Sequence, residues 1–365
     1  MDTITQGLLG AATAQCGFRQ KIGRDATWAA FVAGVLPDGD IFFSRVSEWF
    51  GNGRFMDGLR YHRGWTHSLV AIPVLALLVA GAWWALRRWR LRRGGVSRRG
   101  SPVGFGWLYA CCFVAVATHG LLDACTSYGT QLLWPFSTNR LAWDCVPIID
   151  LIYTPLLILT LVLCYAARKI WRRPERAARV SLAVGVVGMV LSTGYLAAGR
   201  VCHDIARYRG LETVGDRQIL SAEAYPMFGS IFLWRVVVQT PKDWYVLRVH
   251  LFGDKRKDRK MMSRAAKLTP EPPEVHRARQ TEAYALFDWF ARGQVRTDAH
   301  REDKAVIVEF HDMRYGRRAA SPEGLWLLRF RFSPGQTTPV EITRPRSTPR
   351  RGVIVREYWR DLWNP

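Results

Sequence analysis

Six residues among the first 123 of this 365-residue chain have the types and spacing of metal ligands. They are Asp38 and Asp40 in Leu36-Pro-Asp-Gly-Asp40, His62 and His67 in His62-Arg-Gly-Trp-Thr-His67, and His119 and Asp123 in Thr118-His-Gly-Leu-Leu-Asp123. Asp150, in Ile148-Ile-Asp150, joins them. His119 and Asp123 are four apart, so a helix sets both on one face, one turn from each other. Imidazole nitrogen and carboxylate oxygen together suit a divalent metal, with zinc first and manganese or iron also fitting; two clustered carboxylates would permit a two-metal site. No Ser-His-Asp arrangement, Gly-x-Ser-x-Gly elbow or phosphate-binding Gly-rich loop stands out. A metal that acidifies water is then the most economical source of a nucleophile. Asp40 or Asp150 is expected to take the proton, and Arg63 to neutralise substrate charge.

Each residue also has a structural reading. Asp-Gly-Asp after proline is common turn chemistry. Asp150 could complement the start of a helix through its dipole, and His119 could simply be hydrogen-bonded. His203 is a candidate extra ligand. His250, His276, His300 and His311 are scattered through the C-terminal part and are expected to carry no chemistry.

Position decides between these readings, and the apolar runs set position. Four helices are predicted over 69–86, about 104–124, about 148–167 and about 180–198, each long enough for about 30 Å of hydrocarbon. The runs Ile4–Cys16 and Ala26–Leu36 are shorter and suit a shallow helical hairpin. Seven arginines between 87 and 99 separate the first two spans, and Arg168, Lys169, Arg172, Arg173 and Arg176 separate the last two. Such loops mark the cytoplasmic side. His62, His67, His119, Asp123 and Asp150 then meet at one level at the opposite ends of the helices, where ionisable groups are costly and usually functional.

Residues 200–365 read as a water-soluble domain on the non-cytoplasmic side. Strands are expected at Ile231–Gln239, Trp244–Phe252, Ala305–Phe310 and Trp326–Phe332, with a hairpin turn at 240–243 and an amphipathic helix over Thr281–Arg292. The net charge of +22 is divided evenly: 21 Lys+Arg against 10 Asp+Glu through residue 199, and 31 against 20 beyond it. Positive-inside bias explains the first excess, and no nucleic-acid partner is expected. The run Lys255–Lys260 reads as a solvated loop or a contact for anionic lipid. The N-terminus has no basic stretch, so no cleaved signal peptide is expected. Cys125, Cys145 and Cys202 lie near one membrane face and could pair, though no spacing demands it.

These segments resemble the YdjM-type family of membrane-bound, metal-dependent hydrolases. The resemblance rests on Met1–Ala12, Leu36–Asp40, His62–Ser68, Leu121–Gln131, Trp134–Ser137 and Ile148–Asp150, and more weakly on Asp312-Met-Arg-Tyr-Gly316, which is similar to the C-terminal extension of longer members. It implies an inner-membrane hydrolase with a divalent metal on Asp38, Asp40, His62, His67, His119 and Asp123. Many members have histidine in the first helix where this chain has Gln6. The pattern is also similar to zinc-dependent phospholipase C, an analogy of arrangement rather than substrate.

The sequence thus predicts an α-helical polytopic membrane domain over 1–199, followed by a small soluble α+β domain over 200–365. The expected partners are membrane lipids and a lipid or small-molecule substrate. The alternatives are a non-enzymatic membrane protein with a structural metal or polar knot, and a transporter, which the lack of an inverted repeat disfavours. A C-terminal reporter active only outside the cytoplasm is expected to be active; activity from a cytoplasm-only reporter would reverse the orientation.

Overall fold

The computed structural model describes residues 1–42, 57–93, 104–215, 217–316 and 318–343. Arg98, Arg99 and most of the 41–66 connection lie outside the described residues. The helices of the first part are α1 (Thr3–Gln15), α2 (Phe18–Ile22), α3 (Arg24–Val35), α4 (Asp57–Tyr61), α5 (Ala71–Arg92), α6 (Phe105–Ala124), α7 (Tyr153–Ile170) and α8 (Pro174–Val214). Short 3-10 turns occupy Leu36–Gly39 and Trp65–His67. The chain forms two compact units, Met1–Val46 with Tyr61–Ala198, and Ser47–Arg60 with Gly199–Pro365.

In the first unit, α5, α6, α7 and the early part of α8 are long and apolar enough to cross a membrane. Val74, Leu77 and Leu78 on α5, and Leu159, Val162 and Leu163 on α7, are exposed, as side chains facing lipid should be. Helices α1 and α3, with 13 and 12 residues, rise only about 18–20 Å. They are not at the margin of the bundle: α1 packs on α3, α6 and α7 and is buried on nearly every face. Small residues make this possible. Ala14, Ala26, Ala29, Ala30 and Ala33 meet Ala76, Ala80, Cys111, Cys112 and Ala115 in one core. At Gly34 a Cβ would come within 2.7 Å of the Gln6 carbonyl oxygen, so only glycine lets α1 and α3 approach this closely.

Three boundaries differ from the sequence reading. Helix α5 continues through Arg92, so Arg87, Arg88, Arg90 and Arg92 belong to its last turns; cations there oppose the carbonyl end of the helix dipole, and Arg87 reaches Asp25 at 3.2 Å. Helix α8 begins at Pro174 and runs for 41 residues, well beyond the apolar window. Helix α7 begins at Tyr153 rather than 148, because the Asp150 carboxylate accepts the amides of Ile152 and Tyr153, both at 2.8 Å.

The second unit is α+β, with two four-stranded antiparallel sheets. The first orders β1 (Ser221–Pro226), β2 (Leu233–Gln239), β3 (Asp243–His250) and β4 (Met262–Ala266); the second orders β5 (Val295–Glu302), β6 (Ala305–Asp312), β7 (Leu327–Phe332) and β8 (Glu341–Thr343). All four expected strands and the hairpin at 240–243 are present. The helices are α9 (Lys255–Lys260), α10 (Pro273–Arg279) and α11 (Glu282–Ala291). The basic run 255–260 is a short helix rather than a loop: Asp254 caps it, and Asp258 is drawn inward by Arg209 at 3.0 Å. The Gly34→Ala variant is expected to lose about 1–3 kcal/mol through overpacking, read as a lower unfolding midpoint in detergent; an unchanged midpoint would contradict the close approach.

Candidate metal centre

Among the described residues, one group of His, Cys, Asp and Glu side chains converges as a metal site would require: Asp38, His67, His119 and Asp123, all buried, with one donor atom from each lying within 4.8 Å of the others. Asp38 comes from the 3-10 turn that ends the α1–α3 hairpin, where Pro37 favours the tight turn. His67 closes the second 3-10 turn, just before α5. His119 and Asp123 share one face of α6. Gly120 lets the His67 segment lie against that helix, since a Cβ there would stand 2.8 Å from the His67 carbonyl oxygen.

The hydrogen bonds behind the rings set their tautomers. Nδ1 of His119 faces the Gly34 carbonyl oxygen at 2.6 Å; a carbonyl only accepts, so Nδ1 holds the proton. Nδ1 of His67 faces the Thr66 hydroxyl at 2.9 Å. That hydroxyl donates to Asp40 Oδ2 at 3.2 Å, so it accepts from His67. In the neutral rings both Nε2 atoms carry lone pairs, and they face each other at 3.0 Å. Such a pair repels unless a cation lies between.

The donor spacing suits a metal ion. His67 Nε2 is 3.5 Å from Asp38 Oδ1 and 3.2 Å from Asp123 Oδ2; the corresponding distances from His119 Nε2 are both 3.5 Å. A tetrahedron with bonds of about 2.0–2.1 Å has edges of about 3.3–3.4 Å. Asp123 Oδ2 is moreover buried without a hydrogen-bond partner. Two neutral imidazoles and two carboxylates form a dianionic donor set, which a divalent ion neutralises. The residues present fit such an ion.

The surrounding residues hold the donors in place. Thr3 donates to Asp38 Oδ2 at 2.6 Å. Gln6 donates to Asp123 Oδ1 at 2.9 Å and to the His119 carbonyl oxygen at 3.2 Å, and the Met1 amino group also pairs with Asp123 Oδ1. Arg63, in a left-handed conformation at φ 61°, puts Nε 3.2 Å from Asp123 Oδ2 and donates to Thr126 at 2.7 Å.

The structure gathers four of the expected ligands and places the other candidates elsewhere. His62 and Asp40 form their own pair beside the quartet, Nδ1 to Oδ1 at 2.9 Å. Asp40 also accepts the Arg63 amide at 2.8 Å. Burial works to raise the Asp40 carboxyl, but the bond from His62, the His67 ring and the Arg63 amide outweigh it and hold the group below its ordinary range. Asp150 is outside the quartet: its oxygens take two backbone amides and, at 2.9 Å, the Tyr195 hydroxyl. Burial raises its carboxyl, which these bonds only partly offset. His203 pairs with Asp204 and packs on Trp234 in the second unit. Thr66, Gly34, Gly120 and Thr3 have no role assigned to them from the sequence. Only Thr66, next to His67, carried a local signal.

A bundle of apolar spans closing over a buried acid–imidazole cluster defines a class, that of polytopic membrane proteins with a site able to hold a metal. The family model for YdjM inner membrane proteins matches residues 1–200, and the chain belongs to that family. It is 30% identical over 118 residues to inner membrane protein YbcI of Escherichia coli (strain K12), a match covering 31% of this chain and 55% of the relative. The chain thus spans about half the length of that curated relative. No solved structure matches.

Detergent-purified protein is expected to hold about one equivalent of zinc, manganese or iron by elemental analysis, and His119→Ala to lose it. Asp40→Ala, which loosens His67 from behind, should weaken retention about 10–100-fold. Because the imidazoles must be neutral to donate, retention should fall as pH falls. Full metal content in His119→Ala would remove that ring from the ligand set.

Proposed function

We propose that this protein is a membrane-bound, metal-dependent hydrolase working at the non-cytoplasmic membrane–water interface on a phosphoester, with a lipid headgroup as the natural source. The observation that carries the reading is the pair of imidazole lone pairs facing each other within a carboxylate-lined quartet. A divalent ion held by Asp38, His67, His119 and Asp123, zinc by preference, would supply Lewis acidity and lower the pKa of water towards neutrality.

The remaining work falls to the chain's own groups. Asp40 fixes the proton on Nδ1 of His62 and leaves Nε2 as the ring's proton acceptor. The His62 side chain is 22% exposed, whereas those of His67 and His119 are closed off. It therefore takes a proton from attacking water and returns it to the leaving oxygen. Arg63, buried beside Asp123, offers positive charge to an anionic substrate. Trp65, Leu69, Leu133, Trp134 and Phe136 are exposed on the segments that carry the site. Aromatic and apolar groups of this kind sit at headgroup level, so a lipid can present its phosphoester without leaving the bilayer.

A second reading, a closed structural metal site, is favoured by the burial of all four donors. The test is turnover of phospholipid vesicles and, in parallel, of water-soluble phosphodiesters. His62→Ala is expected to keep its metal and lose about 10²–10⁴-fold in rate. Full metal loading with no turnover of either substrate class would favour the structural site.

A further inference from the structure

Two buried thiols stand beside the metal centre without entering its chemistry. Cys125 follows the last turn of α6, two residues after Asp123, and Cys145 lies at the far end of the segment that returns towards α7. The Cys145 amide donates to the Cys125 carbonyl oxygen at 2.8 Å, and the Val146 amide to the same oxygen at 3.1 Å. Thr126 and Val146 form a parallel bridge, which sets Cys125 and Cys145, the residues just before them, beside each other. Neighbours in such a pairing are separated by about 4.8 Å, inside the roughly 4.4–6.8 Å Cα range of disulfides. The Cys145 thiol donates to the Trp143 carbonyl oxygen at 3.5 Å.

We infer that Cys125 and Cys145 are joined by a disulfide in the mature protein, stapling the 125–145 segment to the site-bearing end of α6. The inference rests on the proposed orientation, since that end must face an oxidising compartment. Closure breaks two S–H bonds and forms one S–S bond. The two electrons and two protons pass to a protein disulfide oxidoreductase, whose own disulfide opens to a dithiol. Both side chains are buried in the folded chain, so oxidation belongs to folding, before the pair is covered.

The stapled segment forms the wall of the centre. Thr126 accepts from Arg63, and the Tyr128 ring lies against both Arg63 and Arg140, at 4.8 and 4.9 Å. Arg140 in turn donates to the His62 carbonyl oxygen at 3.2 Å. The bond would hold Arg63 and His62 in register with the donors.

The test uses the full chain in membranes from aerobically grown cells. The sample is acid-quenched, denatured and alkylated with iodoacetamide, then reduced and treated with N-ethylmaleimide before peptide mass analysis. Cys125 and Cys145 are expected to carry only the second label, and the unreduced linked peptide to be lighter by two hydrogens than its separate parts. In Cys145→Ser, Cys125 should take the first label. The first label on both cysteines of the unaltered chain would overturn the disulfide. A C-terminal reporter in the same cells separates the causes: an exported domain with free thiols means the pairing alone is wrong, and a cytoplasmic domain means the orientation is wrong as well. Metal content measured on Cys125→Ser/Cys145→Ser distinguishes either outcome from failure of the metal reading.

Discussion

The packing of the bundle brings together two groups that would not choose each other. Two imidazole nitrogens with lone pairs face each other at 3.0 Å inside the helical bundle, and their far sides are pinned by the Gly34 carbonyl and by the Thr66–Asp40 pair. Neither ring can turn away without breaking a buried hydrogen bond, which is expensive where no water can replace it. A divalent cation between them, with Asp38 and Asp123 completing the set, would replace that repulsion with attraction. The close packing of the short α1–α3 hairpin serves this arrangement. Gly34 lets the hairpin approach, and its carbonyl is the group that orients His119.

Around that centre the carboxylates divide their duties by environment. Asp38 and Asp123 turn oxygens toward the rings. Asp40 stands behind His67 and beside His62, orienting one ring and fixing the tautomer of the other. Asp150 has its oxygens engaged in starting α7 and binding Tyr195. Gln6 turns its amide nitrogen to Asp123; in this orientation it steers a candidate ligand rather than serving as one.

The second unit shows how a motif can be specific without being chemical. In Asp312-Met-Arg-Tyr-Gly316, Asp312 and Arg314 form a fully buried ion pair at 2.7 Å, and Met313 packs with Tyr225, Val237, Trp244 and Val246. The Met313 carbonyl accepts from buried Arg235, whose guanidinium also reaches the carbonyls of Ala319 and Ser321. A Cβ at Gly316 would collide with that guanidinium at 2.3 Å. The segment is a polar knot that fixes the loop after β6, and breaking one partner would leave a buried charge uncompensated.

The sequence by itself determined the four apolar spans, the α+β character of the remainder, and the helical spacing that places His119 and Asp123 on one face. These follow from local composition and periodicity, to which hydrophobic burial and helix geometry respond directly. It did not determine the ends of the helices. Arg87 to Arg92 continue α5 because the dipole favours cations there, and Asp150 delays α7 by capping it. Nor could it separate donors from supports among Asp38, Asp40, His62 and His67, since all four precede α5 in similar polar surroundings. Only the tertiary structure made that division. Distances of 3.0–3.5 Å between residues up to 81 positions apart depend on how closely glycine- and alanine-lined backbones approach, and packing of that kind leaves no periodic mark in the chain.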